Sequence, residues 1–351
     1  MDAVVELPFE LRPPIVVERP KGSGVFVRLS DSYLRSIAYI GCARPGEDGQ
    51  IDTHGTGFLL AHDGHVYLVT AAHVAVDFLD GPMAVRLNKS KDGLGDIEHF
   101  DSTNWFFHPD STVDVAVMPI SVPLWARADP LKSKTIATEF KVGTKDFGAG
   151  DLAYVVGIFN KMRGENKNEP FVHTGHIASM GYGETAVMED WRPGAKAGSM
   201  VSVKGYFVQA TTLPESSGSP VFVRRSIETK VHQGVEKDGK TYLYPLRSWI
   251  HGSVWLLGLW SGNWESKDHA RGVIVGDDMG LCIPASRILE VVDCAELKAM
   301  REAARNKESQ EVALKQTSRE KSITGDQILK NMMSMPPAPR VTKSKGKKKP
   351  A

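Results

Sequence analysis

Cysteine is scarce in this sequence. Three residues in 351, Cys42, Cys282 and Cys294, form no CxxC pair. An odd count without paired spacing supplies neither a disulfide framework nor a zinc knuckle. Long apolar runs are also missing. The longest, VWLLGLW (254–260), is interrupted by Gly258 and falls well short of the ~20 residues that a membrane-spanning helix needs. The first residues, MDAVVELPFELRPP, carry acids where a signal peptide needs positive charge, and prolines break their apolar stretch. A soluble, cytoplasmic protein is the expectation. The formal net charge is only +1, so composition does not mark the whole chain as a polyanion binder. Phosphate-cradling glycine motifs and calcium loops are absent. AHDGHV (61–66) brings two histidines near an acid, but it reads as a hairpin with Asp-Gly at its tip. No metal and no cofactor are expected.

What is present is a chain with 41% apolar residues, long enough for one large domain or two smaller ones. Residues 1–33 are rich in Pro and Gly and read as an extended arm. From 34 onward come short β-rich runs bounded by turn residues: 36–42, 55–61, 65–72, 83–87, 113–120, 152–159, 173–181, 201–210, 220–225, 242–246, 254–262 and 280–284. Many short strands without intervening helical periodicity argue for an all-β sandwich or a pair of barrels. A parallel sheet would need helices in the gaps. Helical spacing begins late, over 284–316, with apolar positions at Ile288, Leu289, Val292, Ala295, Leu297 and Met300, and again over 325–333. A helical extension is therefore expected over 285–333. Residues 334–351 read as a disordered tail, in which Arg340, Lys343, Lys345, Lys347, Lys348 and Lys349 leave the remainder of the chain near −5.

Three segments carry chemistry. YLVTAAHV puts His73 at the end of a β-branched strand, entering a small-residue turn. TVDVAVMPI places Asp114 at the head of an apolar strand, where a carboxylate is expected to be at least partly buried and to need a partner. TLPESSGSPVF sets Ser217 in a small-residue turn before an apolar run. Any one of them has an ordinary explanation: a core histidine, an Asx turn, a polar loop. Together they follow the order His, Asp, Ser, separated by 41 and 103 residues. Acyl transfer needs these types, because a hydroxyl is a weak nucleophile until a neutral imidazole takes its proton, and the imidazole needs a carboxylate to fix its tautomer.

GTGFLL, YLVTAAHV, DVAVMPI, ESSGSPVF, LLGLWSG and GLCIP, with HTGHIASMG and YFVQATTLPESSGSPVF, resemble the trypsin/chymotrypsin-like serine peptidases. The bacterial branch of high-temperature-requirement (HtrA-like) proteases is the most similar, although no PDZ-sized segment follows. The resemblance covers roughly residues 34–295. It implies two six-stranded antiparallel barrels, an all-β fold, with His73 and Asp114 on the first barrel and Ser217 on the second. It further implies Ser217 as nucleophile, His73 as base, Asp114 as orienter, and the backbone N–H groups of Glu215 and Ser217 as oxyanion donors. Ser261 would sit beside Asp114, and the backbone of Ser261, Gly262 and Asn263 would pair with an extended substrate. Thr211 would stand at the base of the primary pocket with Trp260 as a wall. No acid is seen at that base, so a small or medium apolar P1 residue is expected.

Two positions depart from the family pattern. Glu215 stands where the family has Gly, at a residue whose conformation suits Gly best. Ser216 cannot form the ion pair that an Asp makes with a freshly cut N-terminus. Either the oxyanion turn is preformed, or a ligand or activating protein partner sets it. The function implied is a serine endopeptidase acting on polypeptide substrates and regulated by a partner or ligand. The alternative is a catalytically silent peptide-binding module on the same fold. The 224–253 insertion is longer than a hairpin needs and reads either as a loop that caps or regulates a site or as a plain surface excursion. The basic tail offers weak, non-specific contact with nucleic acid or an acidic surface at most.

Overall fold

The computed structural model describes residues 28–334 except 48–49, 80, 102, 139–146, 160–161, 163, 165, 182–184, 191–194, 197, 213–214, 238–239, 264–265, 269–272 and 276–277. Most of the expected N-terminal arm and all but the first residue of the expected tail lie outside the described residues. The chain divides into two compact units, the second beginning at Ala295.

The first half of the larger unit is an antiparallel sheet built from β1 (Ile37–Ala43), β2 (Ile51–His62), β3 (His65–Thr70), β4 (Met83–Asn88), β5 (Gly95–Phe100), β6 (Phe106–Phe107) and β7 (Ala116–Pro119). Their order is β5-β4-β1-β2-β3-β7-β6, and β8 (Leu131–Lys132) pairs in parallel with β2. The β2–β3 hairpin turns at Asp63 and Gly64, with φ of 50° and 80°. Two consecutive positive φ values are what a two-residue hairpin of this twist requires, as the Asp-Gly signal implied. β2 alternates buried and exposed residues at first and then becomes buried on both faces from Gly55 to Leu60. That change marks where the strand leaves the surface and enters the junction between the two halves.

The second half is a closed barrel. Its strands are β9 (Leu152–Gly157), β10 (Phe171–Ser179), β13 (Tyr206–Gln209), β14 (Pro220–Lys237), β15 (Lys240–Asn263) and β18 (Met279–Pro284), in the order β10-β13-β18-β15-β14-β9. Two small ribbons accompany it, β11 (Thr185–Glu189) with β12 (Met200–Lys204), and β16 (Ser266–Asp268) with β17 (Val273–Val275). Each half has its own core. Ile40, Leu59, Leu68, Val85 and Met118 anchor the first, and Val155, Val208, Val223, Leu257 and Trp260 the second.

The structure refines three expectations. Among the described residues one six-stranded barrel closes and the other half is an eight-stranded sheet, so the two-barrel expectation is met in part. The sheet's end strands explain this: β6 is two residues long, and β5 is polar and only half-buried. Segment 224–253 is paired strand over most of its length. Pairing continues unbroken from Ser226↔His251 to Lys237↔Lys240, a two-stranded ribbon running roughly 40 Å at strand rise. Pro245 is tolerated because each strand of such a ribbon has a free edge. The late helical pattern divides into α3 (Ala285–Val292) and α4 (Ala295–Met333), following the short helices α1 (Asp31–Leu34) and α2 (Ala72–Ala75). α4 runs through 317–324, between the two periodic stretches and within the expected 285–333 extension. A single internal glycine, Gly325, costs about 1 kcal/mol and does not end it. Among the described residues, no helix is long and apolar enough to cross a membrane.

A buried cation joins the halves. Arg86, on β4, is fully buried, and its two terminal nitrogens both donate to the Gly164 carbonyl at 3.1 Å. Beside it, Asn88 and Asn168 exchange hydrogen bonds at 3.1 and 2.6 Å, and the Asn168 amide also donates to the Arg86 carbonyl at 2.7 Å. Gly95 makes the room, since a Cβ there would lie 2.4 Å from Arg86 Nε. Charge-assisted bonds of this kind contribute about 1.5–3 kcal/mol each, and their loss leaves a part-buried carbonyl without these donors. Arg86→Met is therefore expected to lower the unfolding free energy by about 2 kcal/mol or more in urea denaturation. A change below about 0.5 kcal/mol would refute this role for Arg86.

Candidate active site

Strand β3 ends at Thr70, and Ala71 is still extended when α2 begins. The single helical turn exposes His73 while its neighbours Ala72, Val74 and Ala75 stay buried. Asp114 comes from the turn that precedes β7. Asp110 closes that turn by accepting from Thr112 N at 3.0 Å and Thr112 Oγ1 at 2.7 Å, and the Val113 amide donates to the Asp110 carbonyl at 3.0 Å. His108 braces the turn, with Nε2 2.7 Å from Glu290 Oε2 on α3. Ser217 belongs to the barrel and sits in the turn just before β14.

The fold bonds His73 to Asp114 and links Ser217 to the same carboxylate through Ser261. Asp114 has no exposed side-chain surface, whereas the His73 side chain is 28% exposed. Asp114 Oδ1 accepts from the His73 backbone amide at 3.0 Å, and Oδ2 accepts from His73 Nδ1 at 2.8 Å. The same Oδ2 accepts from Ser261 Oγ at 2.5 Å. Ser217 Oγ donates to the Ser261 carbonyl at 3.1 Å. Ser261 thus touches the carboxylate with its hydroxyl and the Ser217 hydroxyl with its carbonyl. It can do both because the β15–β18 register slips between Trp260 and Gly262, a bulge that re-aims the residue.

The electrostatics follow from this arrangement. Burial opposes a charged imidazolium at His73, but the charge of Asp114, its hydrogen bond and the more distant charge of Asp77 outweigh it, so the pKa is raised above the usual histidine value. Burial likewise opposes a charged Asp114. The His73 charge and the hydrogen bonds from His73 and Ser261 win, and its pKa is lowered. The carboxylate therefore stays ionised, and Nδ1 carries the imidazole proton, so that any proton His73 takes up goes to Nε2.

Glu215 has φ 68°, in the left-handed region that suits Gly. Its carbonyl accepts from Thr56 Oγ1 at 3.1 Å. Among the described residues, the amides of Glu215 and Ser217 donate to no protein acceptor. Gly218, with φ 86°, could carry no side chain, because a Cβ there would lie 2.0 Å from the Thr56 carbonyl.

The residues expected to bind substrate fare unevenly. β15 pairs with β14 only as far as Leu259, so Ser261, Gly262 and Asn263 form a strand edge on that side, and the Asn263 Oδ1 accepts from Thr212 Oγ1 at 2.6 Å. Trp260 is not an exposed wall. It is fully buried in the barrel core, and Gly280 leaves it room, since a Cβ there would lie 2.0 Å from the indole. Thr211 is exposed, and its hydroxyl donates to Asp278 Oδ1 at 3.1 Å, so an acid does adjoin this position. Sequence reasoning missed Asp278, Thr56 and Asp77. Asp77 had a readable signal, four residues beyond His73 and one helical turn away. The other two depend on pairings across long stretches of chain.

Residues 55–226 match the family profile described as a trypsin-like peptidase domain. Among solved structures, the chain is similar to the Rv3671c protease from M. tuberculosis in its active form, at 18% identity over 74% of this chain and 79% of that one, with a TM-score of 0.40. The inactive form of the same protease gives 18% identity over 74% and 88%, with a TM-score of 0.37. The HtrA-type protease AlgW with a decapeptide gives 18% identity over 73% and 63%, with a TM-score of 0.38. No curated protein matches by sequence. The profile match spans the segments that carry His73, Asp114 and Ser217, and by it the chain carries a trypsin-like peptidase domain and is a serine-type peptidase, a hydrolase.

Proposed function

We propose that the chain is an endopeptidase that cleaves polypeptides through an acyl-enzyme intermediate, with Ser217 as nucleophile, His73 as general base and acid, and Asp114 as orienter. One observation carries the reading: a wholly buried carboxylate shared by His73 Nδ1 and Ser261 Oγ, with the Ser217 hydroxyl bound to the other end of the same Ser261. Ser217 Oγ bonds to the scissile carbonyl carbon as its proton passes to His73 Nε2. The negative charge on the carbonyl oxygen is met by the N–H groups of Glu215 and Ser217. His73 then gives the proton to the departing amine, and the C–N bond breaks. Water repeats the sequence on the ester, returning the hydroxyl to Ser217 and releasing the acid.

The edge at 261–263 receives the acyl side of the substrate as an added strand. Trp260 fills the barrel interior beside the Gly218 turn, which favours a small P1 side chain. The φ of Glu215 speaks for a preformed oxyanion turn, so an activating partner is not needed to build the donors. It also removes the main motive for a silent binding module.

A fluorophosphonate probe is expected to label the wild-type protein and to leave Ser217→Ala unlabelled. Equal labelling of the two would overturn Ser217 as nucleophile, and no labelling of the wild type would overturn the whole reading. Asp114→Asn should reduce kcat by on the order of 10⁴ through loss of the correct imidazole tautomer.

The pH dependence has a fixed sign. The base works only when neutral, so kcat/KM should fall as pH drops through the raised His73 pKa. Asp77 contributes to that rise, so Asp77→Asn should move the acid limb of kcat/KM to lower pH. A limb that moves upward, or not at all, would exclude Asp77 from the electrostatics of the base.

A further inference from the structure

Thr56 lies on the doubly buried part of β2 and has no exposed surface. Its amide donates to the Ser217 carbonyl at 3.0 Å, and its hydroxyl donates to the Glu215 carbonyl at 3.1 Å. The hydroxyl also accepts from the Ile158 amide at 3.1 Å, while the Thr56 carbonyl accepts from Thr70 Oγ1 at 2.7 Å. One residue of the first sheet therefore holds two carbonyls of the Ser217 turn, and strands on both sides hold that residue.

The direction of the hydroxyl proton is fixed by exclusion. A hydroxyl has one proton and two lone pairs. The Ile158 N–H can only donate, so it occupies a lone pair, and the hydroxyl proton is left for the Glu215 carbonyl. That carbonyl belongs to a residue with φ 68° and a side chain, a conformation that L residues avoid. Fixing the Glu215 carbonyl restrains the rotation that would relax this φ and carry the Glu215 N–H away from the turn. Glycine at this position would hold the conformation without help. Glutamate needs the strut.

We propose that Thr56 is a positioning residue for catalysis: its hydroxyl locks the Glu215–Ser216 peptide and so keeps the Glu215 N–H aimed as an oxyanion donor. This rests on the serine-peptidase reading above, and the hydroxyl acts through Glu215 without touching substrate.

The test is a set of variants assayed on one peptide substrate with full-length protein. Thr56→Val keeps the shape and removes the donor, and should lower kcat by about 10- to 100-fold, within the range for a weakened oxyanion donor, with KM within about threefold of wild type. Thr56→Ser restores the hydroxyl and should restore kcat to within about threefold. In a Glu215→Gly background, Thr56→Val should cost less than about threefold, because Gly adopts positive φ unaided. Should Thr56→Val not fold, Thr56→Cys, a weaker donor, takes its place with the same readouts. Unchanged kcat in the folded Thr56 variant would overturn the proposal. So would an equal loss in the Glu215→Gly background, since a merely structural threonine would not depend on residue 215. Fluorophosphonate labelling separates the two layers. No labelling of the wild type ends the peptidase reading, whereas labelling that proceeds at the same rate in Thr56→Val ends only the role of Thr56.

Discussion

A carboxylate with no access to water must be surrounded by donors, and Asp114 draws them from both halves of the domain. His73, with its ring and its backbone amide, comes from the sheet. Ser261 comes from the barrel. Neither half alone satisfies the charge. Desolvation is therefore offset only when the two halves are closed on each other, and the requirement sets their register at the site. The bulge at Ser261 belongs to the same solution, because regular pairing of β15 with β18 would leave that side chain on the wrong face.

The second junction is neutral and works on backbone. β2 passes so close to the Ser217 turn that side chains are excluded on steric grounds at Gly218, where a Cβ would meet both the Thr56 carbonyl and the Thr70 hydroxyl. Glu215 has the same sign of φ, but its side chain is only partly buried. Its cost is conformational rather than a collision. This distinction explains why one position of the turn must be glycine while the other can carry a side chain, provided something holds its backbone.

Much of the fold could be read in advance wherever local pattern decides it. Runs such as HVYLVT and LAYVVG become β3 and β9 because β-branched and aromatic residues fit a pleated, buried surface. The Asp-Gly turn appears where the dipeptide stands. His73 and Asp114 were legible because a polar group at the end of an apolar strand needs an explanation. What escaped was non-local. β5, GDIEHF, lacks a strong strand pattern and is ordered by pairing with β4 along its whole length. Of the ribbon at 226–251 only 242–246 was expected as a strand; the facing stretch runs through Gly234, a residue type that ordinarily weakens strands but is tolerated in a ribbon with free edges. Trp260 looked like a pocket wall because its neighbours line the site, but the alternation of β15 turns it inward. The Thr56 hydroxyl sits 159 residues from its acceptor in sequence, and nothing in GTGFLL announces that pairing.

The two junctions differ in margin, and the difference locates the soft point of the site. Removing one partner of a buried, paired charge costs about 3–5 kcal/mol, so the Asp114 network is held firmly. A neutral hydrogen bond such as Thr56 to Glu215 contributes only about 0.5–1.5 kcal/mol net. The left-handed φ that it supports costs about 1–3 kcal/mol. Bond and strain are thus of similar size, and the turn is balanced near the point where its donors could swing away. On the proposed reading, a site built this way fixes its base and orienting acid by strong coupling and leaves its oxyanion donor to a near-balanced pair of small energies. The geometry of Glu215, rather than that of Asp114, is where a modest perturbation would have the largest effect on turnover.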